Sequence, residues 1–187
     1  MHAFCQQNTV ISRRFWPFCV AKPHILSYLC GMTDDSSLDA FDRDILRRVQ
    51  LDARTTSEDI GADIGLSAAA VQRRLKRMRQ LGVIVAEVAI VNPRSVGQAM
   101  SFIVDVEMER ERADMLDAFR RTACADPNVQ QCYYVTGVAD FVLIVVAQDM
   151  DDFEAFTRRL LFDNPNIRRF TTSVVMARDK TGQVVPV

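Results

Sequence analysis

Residues 67–82 read SAAAVQRRLKRMRQLG, a run that carries Arg73, Arg74, Lys76, Arg77 and Arg79 and no acidic residue. At about 100° per residue, Val71, Leu75 and Met78 fall on one side of a helix, and Ala69, Gln72, Arg73, Lys76 and Arg77 fall away from it. Ser67 suits the N-cap, and Gly82 suits the position just past the helix end. An apolar back with a cationic, amide-bearing front is the helix a DNA major groove accepts. Taken alone, the stretch fits a solvated amphipathic helix better. The residues before it reverse that balance.

Leu38 to Asp52 has Phe41, Ile45, Leu46 and Val49 at helical spacing, with Asp42, Arg43, Arg47 and Arg48 mostly on the other face. Thr56 or Ser57 caps a second, short helix with Glu58 and Asp59 in its first turn, where they complement the helix dipole. Ile60 and Ile64 are its apolar contacts. Gly65-Leu66-Ser67 is then a tight turn straight into the basic helix. Two short helices joined by a glycine-containing turn, the second one basic, form a helix-turn-helix pattern. Leu66 is placed to plug a small core of Ile45, Ile60, Val71 and Leu75. Residues 38–84 are thus expected to be a three-helix DNA-binding domain.

Val85 to Val91 is a β-type run before Asn92-Pro93, so 85–92 is expected to be a linker strand within a connector spanning 85–98. Residues 99–187 read differently. Phe102, Val104 and Val106 alternate with Ile103, Asp105 and Glu107 as in a strand. Glu109 to Cys124 is helical, and Val129 to Thr136 is a second strand. After the Gly137-Val138-Ala139-Asp140 turn, Phe141 to Ala147 (FVLIVVA) is apolar throughout, as in a central strand buried on both faces. Asp149 caps another helix with Phe153, Phe156, Leu160 and Leu161 as its stripe, and Arg168 to Arg178 is the last strand. The order β-α-β-β-α-β is the ferredoxin-like split motif, so the fold class is α+β. Both helices of that motif cover one face of the sheet. The other face keeps apolar residues, which a second copy of the chain would cover in a homodimer.

Composition narrows the class without naming the function. With 49% hydrophobic and 25% charged residues the chain is an ordinary globular one, and a net charge of -1 hides the local basic patch. No apolar run reaches the ~18 residues that span a bilayer. The five cysteines include no C-x-x-C pair and read as reduced thiols of a cytoplasmic protein. Residues 1–31 hold both histidines and the only tryptophan, interrupted by Pro17 and Pro23. Ser12-Arg13-Arg14-Phe15 superficially suggests an export signal, but Lys22-Pro23-His24 breaks the apolar region that should follow. Their cysteines and histidines are spaced too irregularly for a metal site. Residues 1–37 are expected to be an extension outside the fold, with Met32 as the working initiator.

A helix-turn-helix, a linker and a ferredoxin-like domain together resemble the Lrp/AsnC family of transcription regulators. The resemblance runs from Leu38 to the C-terminus. It is densest at Leu38-Asp39…Asp44-Ile45-Leu46, at Ile64-Gly65-Leu66-Ser67…Val71…Arg74-Leu75…Leu81-Gly82-Val83-Ile84, and at Val135-Thr136-Gly137…Asp140-Phe141. It implies a homodimer that assembles further into a tetramer or octamer, double-stranded DNA as partner, and an amino acid or related small metabolite as effector. It makes Ser67 to Arg77 the recognition helix. Ser67 caps that helix and can donate to a phosphate, and Ala69 lies on its front. Gln72, Arg73 and Lys76 are candidates for base edges, and Arg74 and Arg77 for phosphates. Arg79 stands where relatives often have an acidic residue and is given no role.

The same resemblance places the effector at the Gly137 to Asp140 turn. Gly137 and Asp140 match, whereas Val138 departs from an acidic or polar residue. An α-amino acid needs donors for its carboxylate and an acceptor for its ammonium. Amides around Gly137 and Val138 supply donors, and Asp140 can accept. The competing reading is a hairpin in which Gly137 supplies an unusual φ and Asp140 caps the turn. Tyr134, Thr136 and Ala139 complete the candidate set, with Tyr134 and Thr136 expected to face the same way on one strand. Two other functions compete with this one. Some tetrapyrrole-pathway decarboxylases resemble this family, but their chemistry calls for histidines, and none follows His24. No nucleophile–base pair, phosphate loop or cofactor motif appears either, so neither an enzyme nor a cofactor is expected. A metabolite sensor that does not bind DNA would have no use for the basic front of the recognition helix.

Overall fold

The computed structural model describes residues 38–187, so expectations for residues 1–37 lie outside the described residues. The chain forms two compact units, one of residues 38–90 with 179–187 and one of residues 91–178.

The first unit has three helices, α1 (Ala40–Val49), α2 (Ser57–Ile64) and α3 (Ala68–Gln80). Each begins on a side-chain cap, from Asp39, Thr56 and Ser67 respectively. At α1 the cap is reciprocal. Asp42 N–H donates to Asp39 Oδ1 at 2.9 Å, and Asp39 N–H donates to Asp42 Oδ2 at 3.1 Å. Ile45, Leu46, Ile60, Val71, Leu75 and Met78 form the core, with Leu38, Val49, Ile64, Leu66 and Ile84 packed against it. Leu66 thus plugs the small core as its position between the helices suggested. Val187 also packs there, because residues 185–187 lie along α1. The Gln50 amide pairs with both backbone groups of Val185, at 3.2 and 2.8 Å, and Arg47 Nε donates to Val187 O at 2.7 Å.

The turn between α2 and α3 is tight for two reasons. Gly65 ends α2 in the left-handed region at φ 74°. Gly61, buried in α2, lets the turn fold back: a Cβ there would stand 2.4 Å from Leu66 O.

Two residues of α1 exchange their expected places. Phe41 is 40% exposed, whereas Asp42 is fully buried. The helix is entered at Asp39, and the capping geometry turns Asp42 inward, toward two arginines of α3. α1 is also shorter than the 38–52 expected.

The expected linker strand is not formed within this chain. Residues 85–92 are irregular, and Val85, Val88 and Ile90 are exposed. No neighbouring segment of the described residues offers them the N–H and C=O groups a ladder needs. After them, Asn92 caps a 3₁₀ turn, Pro93–Val96.

The second unit is a four-stranded antiparallel sheet with two helices. It runs β1 (Met100–Met108), α4 (Ala113–Ala125), β2 (Val129–Tyr134), β3 (Phe141–Ala147), α5 (Met150–Thr157) and β4 (Ile167–Val174). A π-helical turn, Arg158–Phe162, extends α5. The strand order is β2-β3-β1-β4, which is the ferredoxin-like βαββαβ arrangement and an α+β fold as expected. The ends differ by a few residues: β2 stops at Tyr134, β4 at Val174, and α4 starts at Ala113.

Alternation in β1 and β3 sends Phe102, Val104, Val106, Phe141, Leu143 and Val145 to the helices, all with no exposure. Phe102 stacks on Phe153 of α5 with centroids 3.7 Å apart, and Phe119 of α4 tilts against Phe141 at 4.8 Å. The opposite face carries Ile103, Val142, Ile144 and Tyr133. Ile103 and Tyr133 are exposed, and Val142 and Ile144 are half-buried. FVLIVVA is therefore central in the sheet and fully packed on the helix side, while on its second face Val146 is buried and Val142 and Ile144 are half-buried. No helix among the described residues is long and apolar enough to cross a membrane.

Candidate nucleic-acid interface and effector site

α3 is a helix of 13 residues with Val71, Leu75 and Met78 buried. Ser67, Ala69, Gln72, Arg73 and Lys76 are all exposed, so the spacing argument and the structure agree on which way the helix faces. Ser67 Oγ accepts the Ala70 N–H at 3.3 Å, which leaves its own O–H free to donate outward. The front thus presents an amide and a guanidinium side by side and an ammonium one turn further on, over a rigid helix that is capped at its start.

Arg74 and Arg77, expected to hold phosphates, are engaged inside the unit. Arg74 Nη1 donates to Asp39 Oδ2 at 2.7 Å and to Asp42 Oδ1 at 2.9 Å. Its guanidinium also lies over the Phe41 ring, 5.6 Å from the centroid. Arg77 Nη2 donates to the other Asp42 oxygen. The Asp42 carboxylate is therefore buried between two arginines and the Asp39 N–H. A buried carboxylate needs such partners, because an unpaired charge out of water is very costly. The Asp42 N–H, followed by the Arg74 guanidinium, holds the Asp39 carboxylate below its ordinary value of 3.8. In turn Asp39, followed by Asp42, holds Arg74 charged beyond the usual guanidinium range. This network sets α1 against α3 and so sets the pose of the basic front. Arg79 pairs with Glu87 beyond the helix, with Nη2 2.6 Å from Oε1.

The residues that sequence reasoning passed over are Asp39 and Asp42 as anchors of α3, and Gly61 as the residue that lets the turn close. The Asp-x-x-Asp spacing at the start of α1 was a usable sign of the reciprocal cap. The long-range pairing to Arg74 and Arg77 had no local sign.

At the other candidate site, Gly137 has φ 130°, Thr136, Gly137 and Val138 are exposed, and Ala139 and Asp140 are half-buried. Val138 is 85% exposed. Asp140 is held by three hydrogen bonds, two to β1 and one within the hairpin. Its Oδ2 accepts Met108 N–H at 2.6 Å, its N–H donates to Val106 O at 2.9 Å, and its C=O accepts Val135 N–H at 2.9 Å. The Asp140 side chain thus ties the turn to β1 rather than capping the turn itself, and the second carboxylate oxygen is the one left for a ligand. Thr136 lies past the end of β2, so it does not share a strand with Tyr134. Tyr134 instead tilts against Phe141 at 5.1 Å, beneath the Arg120 guanidinium at 5.7 Å, on the helix-covered face. The structure therefore groups Gly137, Val138, Ala139 and Asp140 at the turn and lays the exposed Tyr134 against Phe141 beside it.

Comparison with known proteins places both units. The AsnC-type helix-turn-helix domain matches residues 38–79, and the Lrp/AsnC ligand binding domain matches residues 101–185. An HTH-type transcriptional regulator of Sinorhizobium fredii is 49% identical over 150 residues, covering 80% of this chain and 89% of that protein. The transcriptional regulator AzlB of Bacillus subtilis is 31% identical, covering 80% of this chain and 96% of AzlB. Among solved structures, an AsnC family transcriptional regulator from Agrobacterium tumefaciens superposes with a TM-score of 0.74 at 28% identity, over 80% of this chain and 97% of that one. A transcriptional regulator of Neisseria meningitidis, solved as a complex with L-Met, gives 0.75 at 26% identity over 80% and 97%. With the helix-turn-helix, the ferredoxin-like unit and both family matches in the same order along 150 residues, the chain belongs to the Lrp/AsnC family of transcriptional regulators.

Proposed function

We propose that the protein is a sequence-specific DNA-binding regulator whose assembly and DNA occupancy respond to an amino acid or a related small metabolite. The observation that carries the reading is the clean division of α3: Val71, Leu75 and Met78 are buried, while Ser67, Ala69, Gln72, Arg73 and Lys76 are exposed. Gln72, Arg73 and Lys76 read base edges, and Ser67 and Ala69 approach the backbone at the helix start. Arg77 neutralises Asp42 from the same helix. Arg74 acts on DNA indirectly, by holding α3 against α1.

Assembly begins with the open face of the sheet. Ile103, Tyr133, Val142 and Ile144 form an apolar patch that the same patch of a second chain would cover, giving a two-fold dimer. Two recognition helices then enter successive major grooves about one helical turn apart. An amino acid enters at Gly137, Val138 and Ala139, its carboxylate on backbone N–H groups and its ammonium on the second oxygen of Asp140. The complex of the Neisseria relative with L-Met supports an amino acid as the effector class. Ligand that binds one assembly better than another shifts the equilibrium between them by that difference and no more.

The test is a gel-shift titration of Arg73→Ala and Gln72→Ala on a selected site and on scrambled sequence. Each substitution should cost ~1–3 kcal/mol at the selected site and relax base preference there. Equal affinity of wild type and Arg73→Ala on every sequence would remove the base-reading assignment.

A further inference from the structure

Two stretches of chain join the sheet unit to the helical one, residues 85–92 and residues 179–184. A body held by one flexible connection can turn in any direction. A body held by two turns only about the line between them. The second connection acts in this way only if the chain beyond it is gripped, and residues 185–187 are. The Gln50 side chain donates to Val185 O at 3.2 Å and accepts Val185 N–H at 2.8 Å. An amide paired with both backbone groups of one residue holds the backbone and ignores the side chain, and the Val185 side chain is exposed. Two residues on, Arg47 Nε donates to Val187 O at 2.7 Å, while Nη1 of the same guanidinium is held by Asp44 at 2.7 Å. The Val187 side chain packs against the helical core. The last turns of α1 thus offer a backbone clamp, a donor for a carbonyl and an apolar seat.

The other ends of both connections are fixed as well. On the sheet unit, Val175 N–H donates to Ser101 O at 2.9 Å, Arg178 donates to Ser101 Oγ, and Asn92 Oδ1 accepts Arg94 N–H at 3.1 Å. On the helical unit, Arg79 at the end of α3 places Nε and Nη2 3.0 and 2.6 Å from Glu87 Oε1. Residues 88–91 and 179–184 are then the stretches between fixed points. Fully extended, they reach at most about 18 and 25 Å from one fixed point to the next.

We propose that residues 185–187 are a latch. Docked on α1, they hold the helical unit at a second point and so set the distance and angle at which α3 is presented. Undocked, they leave the unit to swing on 85–92 alone. Each bond of the latch lies at the surface, where one hydrogen bond or ion pair contributes little. Together they act on a segment that its own chain keeps at high local concentration, so the latch closes readily and opens without unfolding the unit. The inference rests on the reading of α3 as the base-contacting helix. It adds what sets the separation of two such helices in an assembly.

The experiment compares the full chain with Gln50→Met and Val187→Asp. Gln50→Met keeps the side-chain length and removes both bonds to Val185, and Val187→Asp empties the apolar seat. DNA duplexes carry one copy of the selected half-site, or two copies at separations stepped by single base pairs across one helical turn. Wild type should favour its best separation at least about tenfold over one shifted by about 5 base pairs, because that shift turns a half-site to the opposite side of the duplex. Each variant should cut that ratio to about twofold or less while binding the single half-site within about twofold of wild type. Hydrogen exchange at the Val185 N–H, measured without DNA, should be faster in both variants. A uniform loss of affinity on every duplex, with the ratio between separations kept, makes the tail a stabilising segment only and overturns the inference. Equal Val185 exchange in wild type and Gln50→Met overturns it too. A failure of the α3 reading shows separately, as Arg73→Ala matching wild type on the single half-site. The exchange comparison, which uses no DNA, then decides the latch on its own.

Discussion

The helical unit buries six apolar side chains, and the sheet unit gathers sixteen into one cluster, five of them phenylalanines that meet as Phe102–Phe153–Phe156 and Phe119–Phe141. Six side chains at about 1.5–3 kcal/mol each leave little margin once the entropy of ordering the chain is set against them. The smaller unit makes up the difference with directed polar interactions: a side-chain cap on every helix, the buried Asp42 between Arg74 and Arg77, and residues 185–187 along α1. The sheet unit rests on shape-matched apolar packing. The difference teaches where each unit is brittle. A lost ring should dominate in one, and a lost charge or a misplaced methyl in the other.

The largest effect is expected from Phe102→Ala, which removes a fully buried ring stacked on Phe153. It should destabilise the sheet unit by ~3–5 kcal/mol. Hydrogen exchange should show the loss in the amides of β1 and β3, with those of α1 to α3 little changed. Equal loss in both units would mean that they unfold together and that the contrast between their cores has no thermodynamic meaning.

Next comes Asp42→Ala, at ~3 kcal/mol, because it leaves two guanidiniums facing a hole and removes half of the reciprocal cap. Protection should fall in α1 and α3, and DNA affinity should fall with it although no exposed residue has changed. A cost under ~1 kcal/mol, the range of a surface pair, would show that water already shields this network. Gly61→Ala should follow at ~1–3 kcal/mol, since its Cβ would meet a backbone carbonyl that cannot step aside without opening the turn. Wild-type melting of Gly61→Ala would show that the turn relaxes more easily than the 2.4 Å approach implies.

What could be read from the sequence follows the same contrast. The βαββαβ order was legible because each element carries its own period and its own stop, such as Asp126-Pro127-Asn128 after α4. The front of α3 was legible because one helix settles which of its residues share a face. Phe41 and Asp42 were misplaced because a period gives the apolar side of a helix but not a charge pair 32 residues away that turns Asp42 inward. The 85–92 strand was misread because β propensity describes a residue that wants a neighbour without saying that the chain provides one. Asp140 looked equally like a ligand acceptor and a hairpin cap. Only the backbone of Met108, distant in sequence, decides how its first oxygen is used.

The smallest effect sharpens the comparison by acid. Asp39 in the helical unit and Asp114 in the sheet unit both sit below the ordinary carboxylate value of 3.8. The main cause differs: a backbone N–H at the α1 cap for Asp39, and the Arg112 side chain for Asp114. A depressed carboxylate adds stability that is fully present above 3.8 and is lost as pH falls through the lower folded value. Both groups should therefore act in one acidic window, and neither should matter near neutrality as a titrating group. They should differ in salt. Arg112 and Asp114 are 67% and 65% exposed, so added salt should erase their contribution. The Asp39 cap keeps its backbone hydrogen bond and a partner in Arg74 that is 26% exposed, so more of its effect should survive. In acid melts at high salt, Asp39→Asn should still flatten the pH dependence of α1 protection, while Asp114→Asn should match wild type. If salt erased both alike, the polar side of the helical unit would be ordinary surface electrostatics, and its six buried side chains would have to hold it on their own.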